Sequence, residues 1–247
     1  MSFIPPIVEK INSLFENDNT NPSYDYCENL DDGRGFTFGK IGFTTANGDG
    51  YDLIKAYCAT NPNSGLKQYL PTLKELANDE DDDTDNLQGF EQAWANEAMQ
   101  TAATQDKLAY ETYGKPAMDY CNTLGLKSTM AIACLYDAIV QHGDGEDDDS
   151  VGALLERTID EMGGSISGKN KDGDSCDTIE NPEIEFLDAF LVQRKNCLLN
   201  PSNKDTKEEW AESVDRVNAL KNLLDTNNLD LTGTIHIKSN DWDTQIT

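Results

Sequence analysis

Apolar residues at Ile4, Ile7, Val8, Ile11, Leu14 and Phe15 recur in steps of three and four, the period of a single buried helical face. Pro5 and Pro6 suit a first turn, where their missing N–H is no loss. The spacing therefore predicts an amphipathic helix from about residue 4 to residue 17, ending where the polar run 18–22 begins. The pattern changes between 31 and 50. Glycines at 33, 35, 39, 42, 48 and 50 separate β-favouring residues such as Phe36, Thr37, Phe38, Ile41, Phe43, Thr44 and Thr45, which predicts a turn followed by a small antiparallel sheet. From Tyr51 onward the helical period returns, with predicted helices near 51–60, 66–77, 88–113, 115–124, 127–142, 150–162, 182–199 and 206–226. Many helices and one small sheet define an α+β, mainly α class.

The segments between the predicted helices are strongly acidic. Carboxylates crowd 79–85 and 144–149, and 165–177 is rich in Gly, Ser, Lys and Asp. All three read as solvated surface loops. The chain carries 46 Asp plus Glu against 19 Lys plus Arg in 247 residues, a formal charge of −27, which argues against nucleic acid as a partner because phosphate binding needs the opposite sign. At 37% hydrophobic the sequence can still bury a core, so disorder of the whole chain is not expected. No apolar run approaches the roughly 18 residues of a membrane span, and residues 1–10 lack the basic start and long apolar stretch of a secretory signal. The charge is either a solvation device or a funnel for a cationic ligand, and composition does not choose between them.

Candidate chemistry narrows the choice. Six cysteines, at 27, 58, 121, 134, 176 and 197, form no CxxC pair, and His142 and His236 are the only imidazoles, so zinc is not expected. Cys134, among Ala131, Ile132, Ala133 and Leu135, suits a buried thiol at least as well as a disulfide. The run 170–175 imitates the start of a calcium loop, but Ser175 stands where the turn wants Gly. No GxSxG elbow occurs, and His142, closing an apolar helix, reads as structural. Paired carboxylates fit better. Glu16 lies roughly 130° from the centre of the first helix's apolar stripe on an ideal wheel, free to face a cleft. Asp32 lies in the turn Asp31-Asp32-Gly33-Arg34-Gly35, where glycines allow close backbone approach and Arg34 supplies positive charge.

The surroundings of these two acids form a specific pattern. Glu16-Asn17, six residues to Tyr24, seven more to Asp32-Gly33-Arg34-Gly35-Phe36-Thr37, then Ile41-Gly42 and Gly48-Asp49 closely resemble the signature of the family 46 glycoside hydrolases, the chitosanases. Further landmarks follow in the same order: Tyr69-Leu70-Pro71, Trp94, the segment from Tyr136 to Val140 with His142, Ala189-Phe190-Leu191 with Arg194-Lys195, and Asn228-Leu229-Asp230-Leu231. The resemblance spans nearly the whole chain.

That resemblance implies a lysozyme-like fold in which residues 1–247 form a single catalytic domain of two lobes, with a substrate cleft between them and the small sheet beside it. It implies endo-acting, inverting cleavage of the β-1,4 linkages of chitosan or glucosamine oligosaccharides, with no metal and no cofactor. By position, Glu16 would be the general acid, Asp32 the general base and Thr37 a holder of the attacking water. Tyr26, Arg34 and Asp49 would bind sugar, and Asp137, Arg194 and Arg216 would form a supporting charge network. Two other readings share the fold class: a muramidase of lysozyme type, and an inactive acidic carbohydrate-binding protein. A monomer without membrane or nucleic-acid partners is expected, and secretion is inferred from a polymeric substrate. The chain departs from the family pattern in a shortened interval after Asn17, in a one-residue gap before Asn228, and in Pro201, which stands where many relatives place an acid that supports the arginine network.

Overall fold

A computed structural model describes residues 4–180 and 182–247; residues 1–3, the start of the stretch read for a leader, and Asn181 lie outside the described residues. The chain divides into two compact units, Pro22–Glu111 and the combination of Met1–Asn21 with Thr112–Thr247.

The Pro22–Glu111 unit carries the predicted sheet. Strands β1 (Cys27–Asn29), β2 (Phe36–Phe38) and β3 (Phe43–Thr44) pair antiparallel in sequential order, with Thr37 opposite both Glu28 and Thr44. Helices α2 (Asp49–Thr60), α3 (Leu70–Asp79) and α4 (Phe90–Ala109) complete it, and a 3-10 turn, Gly65–Tyr69, leads into α3. Its core is aromatic. Phe38 meets Phe90 and Trp94 edge to face at centroid separations of 5.2 and 4.8 Å, an arrangement favoured by the ring quadrupoles. The Trp94 indole N–H donates to the carbonyl of Tyr26 at 3.0 Å, so the same core residue fixes the start of the sheet. Gly50 is required here, because a Cβ would lie 2.4 Å from the carbonyl oxygen of Thr44 and 2.9 Å from the Phe38 ring. The first turn of α2, and Asp49 with it, is thereby pressed against the sheet.

The other unit is helical around α6 (Thr129–His142). Ten of the 14 residues of α6 are buried, including Asp137 and His142, as expected for a helix apolar nearly all round. Ser128 caps its start by accepting from Ala131 N–H and donates its own hydroxyl to Glu183 at 2.6 Å. Helices α1 (Pro6–Asn17), α5 (Lys115–Leu124), α7 (Val151–Met162), α8 (Glu183–Leu199), α9 (Lys207–Glu212) and α10 (Val214–Asp225) make up the rest with the hairpin β4 (Ile235–Lys238) and β5 (Asp243–Ile246). Helix α6 packs on α1, α5, α7 and α8, while β4 packs on α10.

The mainly α architecture with a small antiparallel sheet is as the periodicity predicted, and the differences are local. The helix predicted over 206–226 is two helices, broken at Ser213. The helix expected over 88–113 starts at Phe90 and opens into a π-turn at Tyr110–Gly114. The hairpin β4–β5 and strand β1 were not anticipated. The acidic run at 144–149 is solvated except at its end: Asp149 is buried and accepts hydrogen bonds from the amide and hydroxyl of Ser202 at 2.7 and 2.6 Å, which tethers the chain after α8. These bonds hold its carboxyl below the usual range against the opposing effect of burial. All six cysteines are free thiols.

Candidate active site

The residues singled out in the sequence fall into two clusters, one in each unit. In the helical unit Glu16 ends α1 on its polar side, half-exposed, while Val8, Ile11 and Leu14 on the opposite side are buried. Asp18 closes the helix in the left-handed region at φ 50°, its N–H donating to the carbonyl of Leu14. Arg216, on α10, donates through Nη2 to Glu16 Oε1 at 2.6 Å, and through Nη2 and Nε to Asp137 Oδ1 at 2.6 and 3.1 Å. Arg194, on α8 and fully buried, holds the other oxygen of Asp137 at 2.5 Å. The structure thus brings Glu16, Asp137, Arg194 and Arg216 into one hydrogen-bonded chain of alternating charge. Burial raises the pKa of Asp137, but the two guanidiniums overcome it and set the value at about 2.

Pro201 supplies no carboxylate to this cluster, and Arg194 finds further acceptors on α6. Gln141 accepts from Arg194 Nη2 at 2.6 Å, and the carbonyl of Asp137 takes a longer bond of 3.4 Å from the same nitrogen. The signal was present in the sequence, since Gln141 lies one helical turn after Asp137 and so shares its face. Asn12, likewise not singled out, adds a bond to Asp137 Oδ1 at 3.4 Å.

His142 belongs to the core beside this network. It sits edge-on to Trp210 at 5.1 Å, and its Nδ1 lies 3.0 Å from the carbonyl of Asp149. Because a carbonyl only accepts, Nδ1 carries the hydrogen. Burial and the nearby Arg194 push its pKa down to about 3, so the ring is neutral.

In the Pro22–Glu111 unit Asp32 occupies an exposed turn. Arg34 donates to it three times, from Nε and Nη2 to Oδ2 at 2.9 and 2.5 Å and from its backbone N–H to Oδ1 at 3.2 Å. These bonds lower the pKa of Asp32. Gly35, at φ +69°, lets the turn close onto the sheet, since a Cβ would stand 2.2 Å from Thr45 Oγ1. Thr37, on β2, is buried, and its hydroxyl has no hydrogen-bond partner among the described residues. Tyr26, half-buried just before β1, donates its hydroxyl to Glu28 at 3.1 Å.

Asp49 opens α2. Its Oδ1 accepts from the N–H groups of Thr44 and Gly50, both at 2.9 Å, and from the Thr44 hydroxyl at 3.3 Å. The bonds to the carboxylate among the described residues thus converge on one oxygen, which leaves Oδ2 for an external donor. Its surroundings raise the pKa, with those bonds opposing the shift. Among the described residues no group of His, Cys, Asp and Glu is arranged to hold a metal ion, and no helix is long and apolar enough to cross a membrane.

Acidic side chains held by arginines on a mainly helical scaffold with one small sheet suit the class that comparison with known proteins shows: this is a glycoside hydrolase. The model of glycosyl hydrolase family 46 matches residues 10–235, and the chain belongs to that family. It is 45% identical over 236 residues to a chitosanase of Bacillus subtilis (strain 168), covering 95% of this chain and 81% of that one. Among solved structures, a variant chitosanase of Bacillus subtilis MY002 complexed with 6 GlcN is 43% identical with a TM-score of 0.80, covering 98% and 96% of the two chains. The chitosanase of Gynuella sunshinyii complexed with chitotetraose is 34% identical with a TM-score of 0.81, covering 100% and 98%.

Proposed function

We propose that the protein is an endo-acting, inverting chitosanase whose general acid is Glu16 and whose general base is Asp32. The observation that carries the assignment is the different treatment of the two carboxyls. Asp32 receives three hydrogen bonds from one arginine, which favour its ionised form. Glu16 receives a single bond from an arginine already doubly engaged by Asp137, and its other oxygen is available to a substrate. In an inverting hydrolase one carboxyl protonates the leaving oxygen while the other takes a proton from water attacking the anomeric carbon from the opposite face. The unpartnered hydroxyl of Thr37 suits it to orient that water once substrate is bound; a hydroxyl is too weak a base to do more.

The substrate class rests on charge as well as on the relatives. Each glucosamine residue carries an amine that is cationic in mild acid, and a carboxylate pairs with it through charge-assisted hydrogen bonds. Asp49, with Oδ2 open, is the residue proposed to bind such an amine, with Tyr26 and Arg34 as neighbours in the same segment. Asp137, Arg194 and Arg216 would hold Glu16 in place. The two units would correspond to the two lobes of one catalytic domain, and a polymeric substrate too large to enter cells would make the site of action extracellular. No cofactor is needed for this chemistry.

The test is turnover of chitosan by the Glu16→Gln variant, which should fall by at least about a thousandfold with oligosaccharide binding retained. Retained turnover would remove Glu16 as the acid. Proton NMR on the wild type should show the α anomer first, and an initial β anomer would exclude inversion.

A further inference from the structure

The C-terminal hairpin contributes a contact that the catalytic assignment leaves unused. The turn joining β4 to β5 is pinned to α10 by Asp215, the residue before Arg216: its two oxygens accept from the side chain of Asn240 at 3.0 Å and the N–H of Asp241 at 2.7 Å. The next residue, Trp242, reaches from this anchored turn to the end of α1. Its indole N–H donates to Asp18 Oδ1 at 2.9 Å, where Asp18 is the left-handed residue that closes the helix. Its ring lies against Phe15 with centroids 4.8 Å apart, and the Arg216 guanidinium sits over the Phe15 ring at 5.6 Å. Glu16 therefore has a fixed residue on either side of its turn: Phe15 before it packs against Trp242 with the rings tilted at 43°, and Asp18 two residues after it is hydrogen-bonded to the same indole.

We infer that Trp242 is a positioning residue for the catalytic acid. It clamps the last turn of α1 to the helix that carries Arg216, so that the carboxyl and the guanidinium that orients it share one rigid support. The idea rests on the reading of Glu16 as the acid. A side chain at the end of a helix, exposed and held by one arginine bond, is otherwise free to fray with the turn, and displacement of a reacting group by about 1 Å can cost up to a hundredfold in rate.

The experiment compares Trp242→Ala, Trp242→Phe and Asp18→Gly with the wild type and with Glu16→Gln, using glucosamine oligosaccharides and the intact chain. Rates are normalised to the folded fraction measured by near-UV circular dichroism. Trp242→Ala should lower kcat about tenfold with KM within about twofold, because binding groups elsewhere are untouched. Trp242→Phe, which keeps a smaller ring against Phe15 and loses the N–H, should recover part of that loss. Asp18→Gly removes the acceptor while suiting the left-handed backbone, and should lower kcat about threefold, so it decides the matter if Trp242→Ala does not fold. Unchanged kcat in Trp242→Ala or in Asp18→Gly overturns the inference, as does a Trp242→Phe variant no faster than Trp242→Ala. Turnover retained in Glu16→Gln would instead overturn the assignment of the acid.

Discussion

Two carboxylate–arginine pairs in this molecule have similar hydrogen-bond lengths and opposite surroundings. Asp32 and Arg34 meet on a turn with side chains 33% and 46% exposed. Asp137 and Arg194 meet inside the helical unit with side chains 2% and 0% exposed. In water an ion pair competes with hydration and its effect on stability is small, so the surface pair can only tune a protonation state. In the interior the partners have no water to return to, and each is required by the other. The first arrangement suits a group that must exchange protons with solvent, and the second suits one that must stay put while α1, α6, α8 and α10 are held around it.

The largest effect should therefore follow from breaking the interior pair. Asp137→Ala leaves Arg194 and Arg216 with no carboxylate between them, and among the described residues Gln141 and Glu16 remain as their side-chain acceptors. A loss of about 3–5 kcal/mol in unfolding free energy is expected, read from urea denaturation at neutral pH. A loss below about 1 kcal/mol would mean that the network is not a structural keystone.

The parts of this arrangement that could be read from the sequence are those set by local spacing. The apolar face of α1 fixed the side on which Glu16 would emerge, and the density of glycine between 31 and 50 located the turn of Asp32. Arg194 and Arg216 were reached through landmarks rather than periodicity, because nothing local distinguishes a buried arginine from a surface one. Asp149 shows the limit more sharply. It stands last in a run of exposed acids, yet it is buried and hydrogen-bonded by Ser202, 53 residues away. The hairpin was overlooked because its alternation, Ile235 and Ile237 buried between exposed His236 and Lys238, lasts only four residues and its turn contains no glycine. Strand β1, only three residues long, offers even less pattern, since it is defined by pairing with β2.

A second test sharpens the comparison by titrating the interior. His142 is neutral in the fold with a pKa near 3, whereas in the unfolded chain it protonates near its ordinary value. As pH falls from about 6.5 the unfolded state takes up a proton that the folded state refuses, so stability declines by about 1.4 kcal/mol per pH unit until the folded pKa is reached. Asp137 contributes in a lower window, its stabilisation present above the ordinary carboxylate range and lost as pH falls toward about 2. Asn at position 142 can keep a donor for the Asp149 carbonyl without titrating. Between pH 7 and 4.5 the wild type should lose about 2.5 kcal/mol more than His142→Asn, measured by parallel urea curves at the two pH values. Equal losses would show that the imidazole is not held neutral.

The smallest effect on stability should come from the surface pair, and there the chemistry should respond instead. Removing Arg34 takes away the bonds that lower the pKa of Asp32 but uncovers no core, so the melting temperature of Arg34→Ala should match that of the wild type. Its activity should not. The proposed role of Asp32 as general base requires its ionised form, and a depressed pKa keeps it ionised further into the acid range. With Arg34 gone that pKa rises, so the acid limb of the kcat/KM profile should move to higher pH, with activity lost first in the mildly acidic range where the amines of chitosan are most fully charged. Arg34→Lys, retaining charge without the planar fork, should shift it less. An acid limb that stays in place in Arg34→Ala would break the link between this turn and the base.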